Sequence, residues 1–206
     1  MTNKYALALH TTSPELGLAL SNCIGDVRSQ VWGLGRSLST HLHYHLAAFL
    51  QPHSWADLSF IAVAKGPGSY TSTRMGVVTA RTLAQQLDIP LFAISSLEAI
   101  ALSEKSQAEI LAIQLPAQSN SVYAAIYQVT AANSITPLLP DSIMTVDVWQ
   151  NTLKTWHTPY KLIQPESGLG ATVTSVLELA YLDWQQGKLP TWTEALPFYG
   201  QHPVNF

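Results

Sequence analysis

Phe60-Ile-Ala-Val-Ala-Lys65-Gly-Pro-Gly-Ser-Tyr70-Thr-Ser-Thr-Arg74-Met-Gly76-Val-Val-Thr-Ala80-Arg-Thr-Leu-Ala-Gln-Gln-Leu87 is the stretch that decides the fold. Phe60 to Ala64 is a continuous apolar run of strand length, the pattern of a strand covered on both faces. Lys65 to Tyr70 is a turn, in which Gly66 and Gly68 free the backbone for positive φ and for close approach of a ligand. Thr71 to Leu87 reads as a helix, with Ser69 or Thr71 as N-cap and Asp88-Ile89-Pro90 as its stop. Unpaired N–H groups and the partial positive dipole at such a helix start suit an anion. Gly66, Gly68, Ser69 and Thr71 are therefore the candidate nucleotide or anion site. The Gly-Lys-Ser/Thr ending of a Walker loop is missing, so a plain strand-to-helix connection remains open beside that reading. Ser69 also lacks the second glycine of a nucleophile elbow, which favours a capping serine over a catalytic one.

At 100° per residue, Gly76, Ala80, Leu83 and Leu87 share the face expected to pack on a sheet, with Arg74 and Arg81 pointing away. Thr71, Met75, Val78, Thr79 and Thr82 form a third, wholly uncharged face. Such a face is either a partner surface or is buried under the rest of the chain.

Working outward, Tyr5 to His10, Leu16 to Ser21 and Val27 to Trp32 read as three consecutive antiparallel strands. In the second, Leu16, Leu18 and Leu20 alternate with Gly17 and Ala19, the period of a strand with one buried face. A helix begins near Ser37 or Ser39 and carries Leu38, Leu42, His45, Leu46 and Phe49 on one stripe. Leu91 to Ile94 is a further strand, and Ser95 or Ser96 caps a short helix over Leu97 to Leu102. Composition loosens at Ser103 to Gln107, which divides the chain into 1–103 and a smaller α/β unit at 104–206. There, Ile110 to Leu115 and Ser121 to Val129 read as strands, Asp147 to Trp156 as a helix, and Val173 to Trp184 as a longer helix ending at Gly187. Four of the six tryptophans follow residue 145, suggesting that this half has its own core. His41 and His45 stand one helical turn apart, but no third ligand presents itself, so no metal is expected.

The chain has 206 residues, 47% hydrophobic but only 11% charged, with a net charge of −3. A soluble domain carries roughly 25% charge, so part of the surface is either polar and neutral or covered by a partner. Disorder is excluded, and no basic field exists to hold nucleic acid unaided. The charge-free stretch 110–140 is broken by Pro116, Pro137 and Pro140 and cannot span a membrane. The start of the chain lacks a signal-type apolar core, and Cys23 is the only cysteine, so a cytoplasmic protein is expected.

The block from Phe60 through Ile89-Pro-Leu-Phe-Ala-Ile-Ser-Ser-Leu-Glu98 resembles the TsaB (YeaZ-type) family, the dimerisation subunits of the bacterial complex that makes threonylcarbamoyladenosine in tRNA. The family pattern is an apolar strand, G-P-G-S-F-T-G-x-R, a helix with a central glycine, I-P, and S-L. Gly66, Pro67, Gly68, Ser69, Thr71, Arg74 and Gly76 match it, and Pro197-Phe198-Tyr199 is similar to the family's closing P-x-Y-L-R. The resemblance implies an actin/hexokinase/Hsp70-like (ASKHA) α/β fold of two lobes, with mixed sheets flanked by helices and the second lobe reduced. It implies a non-catalytic scaffold that supports threonylcarbamoyl transfer by the paralogous TsaD subunit to the adenosine beside the anticodon. The ATPase TsaE joins that complex and tRNA is met only through it, while a homodimer of the chain when alone is left open. Leu42, Leu46, Met75, Val78, Thr79 and Thr82 are the residues expected near the TsaD contact. No catalytic residue and no cofactor belong to this subunit, with ATP or ADP at the interface left open. The alternative is a nucleotide-binding enzyme, ATPase or kinase-like, using the Gly66 to Thr71 turn; a serine hydrolase would require a reactive Ser69.

Departures from the pattern accompany the matches. TsaD carries H-L-E-G-H, with both histidines on metal, where this chain reads Ser96-Leu97-Glu98-Ala99-Ile100. The family's first strand ends in Asp-Thr, here His10-Thr11, and in ATPases of this fold that Asp helps hold the nucleotide's metal. Ser72 replaces a glycine, and Gly200-Gln201 replaces Leu-Arg. The family's D-A-R-x-x-E-V-Y becomes Pro116-Ala-Gln-Ser-Asn-Ser-Val-Tyr123, losing three charges together.

Overall fold

Tyr5-Ala-Leu-Ala-Leu-His10 forms β1 with its leucines on one face and its alanines on the other, and both faces are buried. The computed structural model describes residues 5–104, 109–130 and 134–199. The first four residues, most of the 103–107 break and Gly200-Gln201 lie outside them. β2 (Glu15–Ser21), β3 (Val27–Gly33), β4 (Leu58–Ala64) and β5 (Leu91–Ile94) complete a five-stranded sheet in the order β3-β2-β1-β4-β5. β2 runs antiparallel to both β1 and β3, while β4 and β5 run parallel to β1.

The leucine face of this sheet, with Leu7, Leu9, Leu16 and Leu18, is covered by α1 (Leu38–Leu50) and α2 (Tyr70–Leu87). The opposite face is built from small residues, Ala6, Ala8, Ala19, Ala62 and Ala64, with Phe60 and Phe92. α3 (Ser96–Ser103) and α5 (Val173–Gln185) pack there. The alternation in β2 therefore separates large from small side chains, not buried from exposed ones. A Cβ on Gly17 would stand 2.1 Å from the Gly170 carbonyl oxygen, so the single-faced reading of β2 is corrected by a close backbone crossing.

The second sheet runs β8-β7-β6-β9, with β6 (Glu109–Pro116), β7 (Ser121–Val129), β8 (Ile135–Thr145) and β9 (Lys161–Ile163). β6, β7 and β8 are antiparallel and β9 is parallel to β6. This repeats the order and senses of β1 to β4 and stops one strand short, so the second lobe is reduced. α4 (Val146–Lys154) lies between β8 and β9 in the chain, as α1 lies between β3 and β4. The five strands of the first sheet fall within residues 1–103 and the four of the second within 104–206, while α5 returns to the first sheet.

The tryptophans divide accordingly. Trp149 is buried in the second sheet's core, its indole N–H donating to Gln114 Oε1 at 2.7 Å, and Trp156 packs beside it. Trp184 lies against Phe60, 5.5 Å between ring centroids, and Trp192 packs on the leucine cluster, so both serve the first lobe. β8 escaped the sequence reading because Pro137 and Pro140 fall inside it. It is an edge strand with register shifts opposite Ala124 to Tyr127, where proline is tolerated. No helix among the described residues is long and apolar enough to cross a membrane.

Candidate functional site

The glycine turn is shaped by the protein's own backbone. Gly66 has φ of +99°, and a Cβ there would lie 2.8 Å from the carbonyl oxygen of Phe198. A Cβ on Gly68 would lie 2.2 Å from the Thr12 carbonyl oxygen, and one on Gly76 would lie 2.1 Å from Thr11 Oγ1. The close approach expected of a ligand is made by the Thr11-Thr12 loop and by the C-terminal segment. Ser69 N–H donates to the Thr12 carbonyl at 2.7 Å, and Lys65 N–H to the Ile94 carbonyl at 2.8 Å. Ser69 occupies the N-cap position of α2, but its hydroxyl donates to Ser72 Oγ at 3.2 Å and not to the helix. Thr71 is exposed on the first turn.

Gly68 and Ser69 nevertheless border a cleft of about 610 Å³ between the two sheets. Thr12, Ser13, Pro14 and Glu15 from the β1–β2 connection, Leu115 and Pro116 from β6, and residues 165–169 form its other walls. The described lining includes the carboxylates of Glu15 and Glu166 and neither lysine nor arginine. Glu15 Oε2 accepts from the Gly170 N–H at 2.8 Å. Two carboxylates without a cation make a field that repels phosphate and opposes the pull of the α2 N-terminus.

At the end of β1, His10 is fully buried and neither ring nitrogen has a hydrogen-bond partner in the described structure. Burial lowers its pKa to about 3, so it stands neutral where the family pattern has a carboxylate. Ser96 and Ile100 are both buried, and Ser96 Oγ donates to Thr12 Oγ1 at 3.1 Å. Ser96 thus ties α3 to the β1–β2 connection, and Ile100 packs into the core of the second sheet. Among the described residues no three His, Cys, Asp or Glu side chains are grouped to hold a metal. His41 Nδ1–H donates to the Ser37 carbonyl at 3.1 Å, and His45 lies on Trp32 with centroids 4.6 Å apart.

A polar cluster that the sequence reading missed joins α3 to the second sheet. Ser95 caps α3 by accepting from Leu97 N–H and Glu98 N–H, and its own hydroxyl donates to Asp141 Oδ2. Tyr127 OH donates to the other oxygen of Asp141. Glu98, on the first turn of α3, has its pKa pushed up to about 7 by burial, then by the charges of Asp141 and Asp183, against the pull of Lys65 and Lys188. Burial and the Asp141 charge likewise raise the Tyr127 phenol. Only the contact between distant strands brings Asp141 here, so spacing along the chain could not signal it.

The expected partner residues divide by exposure. Leu42 and Leu46 are core side chains of α1, at 0% and 2% exposure, and Thr79 is buried on α2. Met75 packs half-buried against the leucine cluster. Val78 is 58% exposed, and Thr71 and Thr82 are exposed beside it. Tyr44 on α1 and Tyr70 at the start of α2 are further exposed large side chains, at 69% and 41%. The sheet-facing side of α2 is centred on Thr73, Gly76, Val77, Ala80 and Ala84 instead of on Leu83 and Leu87. Arg81 does not point to solvent as expected: it lies over the Trp192 ring, 5.4 Å from its centroid, and reaches the Ala195 carbonyl.

A family model described as TsaD, tRNA N6-adenosine threonylcarbamoyltransferase, matches residues 48–156. The tRNA threonylcarbamoyladenosine biosynthesis protein TsaB of Bacillus subtilis strain 168 is 32% identical over 165 residues, covering 79% of this chain and 72% of that protein. The protein of the same name from Haemophilus influenzae is 40% identical over 65 residues, 31% of this chain and 28% of its own. Two Pseudomonas aeruginosa structures share the fold. One, an uncharacterized protein with similarity to peptidase YEAZ, has a TM-score of 0.80 at 20% identity, over 96% of this chain and all of that one. The other, YeaZ, has a TM-score of 0.78 at 21% identity, over 95% of this chain and all of its own. With the strand-turn-helix block, the two mixed sheets and these similarities together, the chain belongs to the TsaB family.

Proposed function

We propose that this chain is a non-catalytic subunit in the biosynthesis of tRNA threonylcarbamoyladenosine, pairing through α1 and α2 with a TsaD-type subunit that carries the chemistry. One observation carries the reading: α2 exposes Thr71, Val78 and Thr82, uncharged, on a chain with only 11% charged residues. Tyr44 is a further exposed side chain, on α1. Depletion of charge at exposed positions is the composition of an interface core, with Arg74, its guanidinium bonded to the Tyr70 hydroxyl at 2.9 Å, at the margin. Leu42, Leu46 and Thr79 act from beneath, fixing the backbone that presents it.

The non-catalytic part of the reading is supported by what fills the reactive positions. Ser96 and Ile100 are packed where TsaD-type ligands stand in the resemblance, His10 is neutral and buried, and the Ser69 hydroxyl is engaged with Ser72. The carboxylates of the cleft oppose a nucleotide, so no cofactor is assigned to this subunit. The remaining roles follow by the same reading: TsaE joins the assembly, self-pairing on the same face occurs without TsaD, and tRNA is held by other subunits in the cytoplasm. The test is reconstitution. Purified TsaD, TsaE and the enzyme supplying the threonylcarbamoyl adenylate should modify tRNA when this chain is added and fail without it; equal modification without the chain would contradict the reading.

A further inference from the structure

After α5 the chain runs back across the first lobe, and each part of the path is tied down. Pro190 accepts from Leu91 N–H at 3.1 Å on the open edge of β5. Thr191 and Glu194 close a capping box around a single 3-10 turn. Arg81 of α2 covers Trp192, and the completely buried Ala195 receives the Arg81 guanidinium on its carbonyl. Phe198 N–H donates to the Lys65 carbonyl at 2.7 Å, with the Phe198 carbonyl seated where a Cβ on Gly66 would be. Tyr199 then lies against the Tyr70 ring at 4.7 Å between centroids, and its carbonyl accepts from Tyr123 OH at 3.2 Å.

The last two contacts join the two lobes. Tyr70 directly follows Ser69, which lines the cleft, and Tyr123 is paired across the strands with Leu115, which lines the opposite wall. Tyr199 thus bridges the two walls at one side. We propose that residues 190–199 form a strap that sets the width of the cleft between the sheets, with Tyr199 as its latch. Gly66 follows from the same geometry, since any side chain there would collide with the passing strap. The strap is independent of which partner the exposed face of α2 takes.

Thiol labelling tests this. In a Cys23→Ser background, a Ser13→Cys thiol sits inside the cleft wall at a position only 7% exposed. A Ser175→Cys thiol, at a position 4% exposed on α5, reports general loosening. Removing one aromatic contact and one hydrogen bond with Tyr199→Ala should raise the labelling rate at position 13 about fivefold and leave position 175 unchanged. Tyr123→Phe, which deletes a single hydroxyl, should raise it less. Unchanged rates at position 13 in both variants, or equal increases at both positions, would overturn the strap.

Discussion

Gly68→Ala isolates the question of what the glycine turn is for. Its φ is not in the left-handed region, so alanine brings no backbone strain of its own. The new methyl would lie 2.2 Å from the Thr12 carbonyl oxygen and 2.6 Å from Thr12 Cβ, and backbone cannot swing aside as a side-chain tip can. Relief requires the β1–β2 connection to move off α2, breaking the 2.7 Å bond from Ser69 N–H to Thr12. Overpacking of about 1–3 kcal/mol and a hydrogen bond of about 0.5–1.5 kcal/mol together give roughly 2–4 kcal/mol. For a chain of this size that is a fall in Tm of roughly 5–15 °C. Gly33→Ala is the control, because nothing lies within 4 Å of its Cβ position. The assay is thermal unfolding of both variants without added ligand. Gly68→Ala melting with the wild type would refute self-packing and return the turn to the ligand reading.

Leu46→Ala removes a side chain at 2% exposure and should destabilise by about 2–5 kcal/mol in urea unfolding, as a core residue does and a surface contact does not. Two buried groups give opposing pH dependence. The Glu98 pKa is raised from 4.5 to about 7, so the folded state holds its proton more tightly, and this stability is lost as pH rises from 4.5 through 7. The His10 pKa is lowered from 6.5 to about 3, so the unfolded state takes the proton first, and stability is lost as pH falls below 6.5. The two slopes oppose each other between those values. Glu98→Gln should therefore gain stability relative to the wild type as pH rises from 5 to 7.5 in thermal melts. An equal difference at both pH values would show that Glu98 titrates normally.

The strands and helices of the first lobe were legible because their signals are local: an apolar run, a glycine turn, a helical stripe. Ser95 was readable as a cap for the same reason, and its side chain accepts from Leu97 N–H and Glu98 N–H. β8 was not, since Pro137 and Pro140 hide a strand that survives only at a sheet edge. On α2 the sheet-facing Gly76 and Ala80 were legible but the fate of Arg81 was not, because the wheel knows nothing of Trp192 and Ala195, which arrive from the far end of the chain to cover it. The same limit hid Asp141 from Ser95, while the stripe that carries Leu42 and Leu46 is the one the sheet buries, so the resemblance that set them near a partner holds only for the backbone they support. In the glycine turn the residues were identified and the cause was not: sequence distinguishes close approach from bulk, but not a ligand from the chain's own carbonyls.

In the proposed assembly, the uncharged face of α2 receives a TsaD-type subunit. The direct measurement is mass in solution by light scattering, for this chain alone, for the chain mixed with TsaD, and for Val78→Asp in the same mixture. Val78 is 58% exposed, so the substitution should leave unfolding unchanged while placing a charge at the centre of the contact. The expected result is a mixed complex with the wild type and separate subunits with Val78→Asp. No mixed complex with the wild type, or the same complex with Val78→Asp, would contradict pairing through α2.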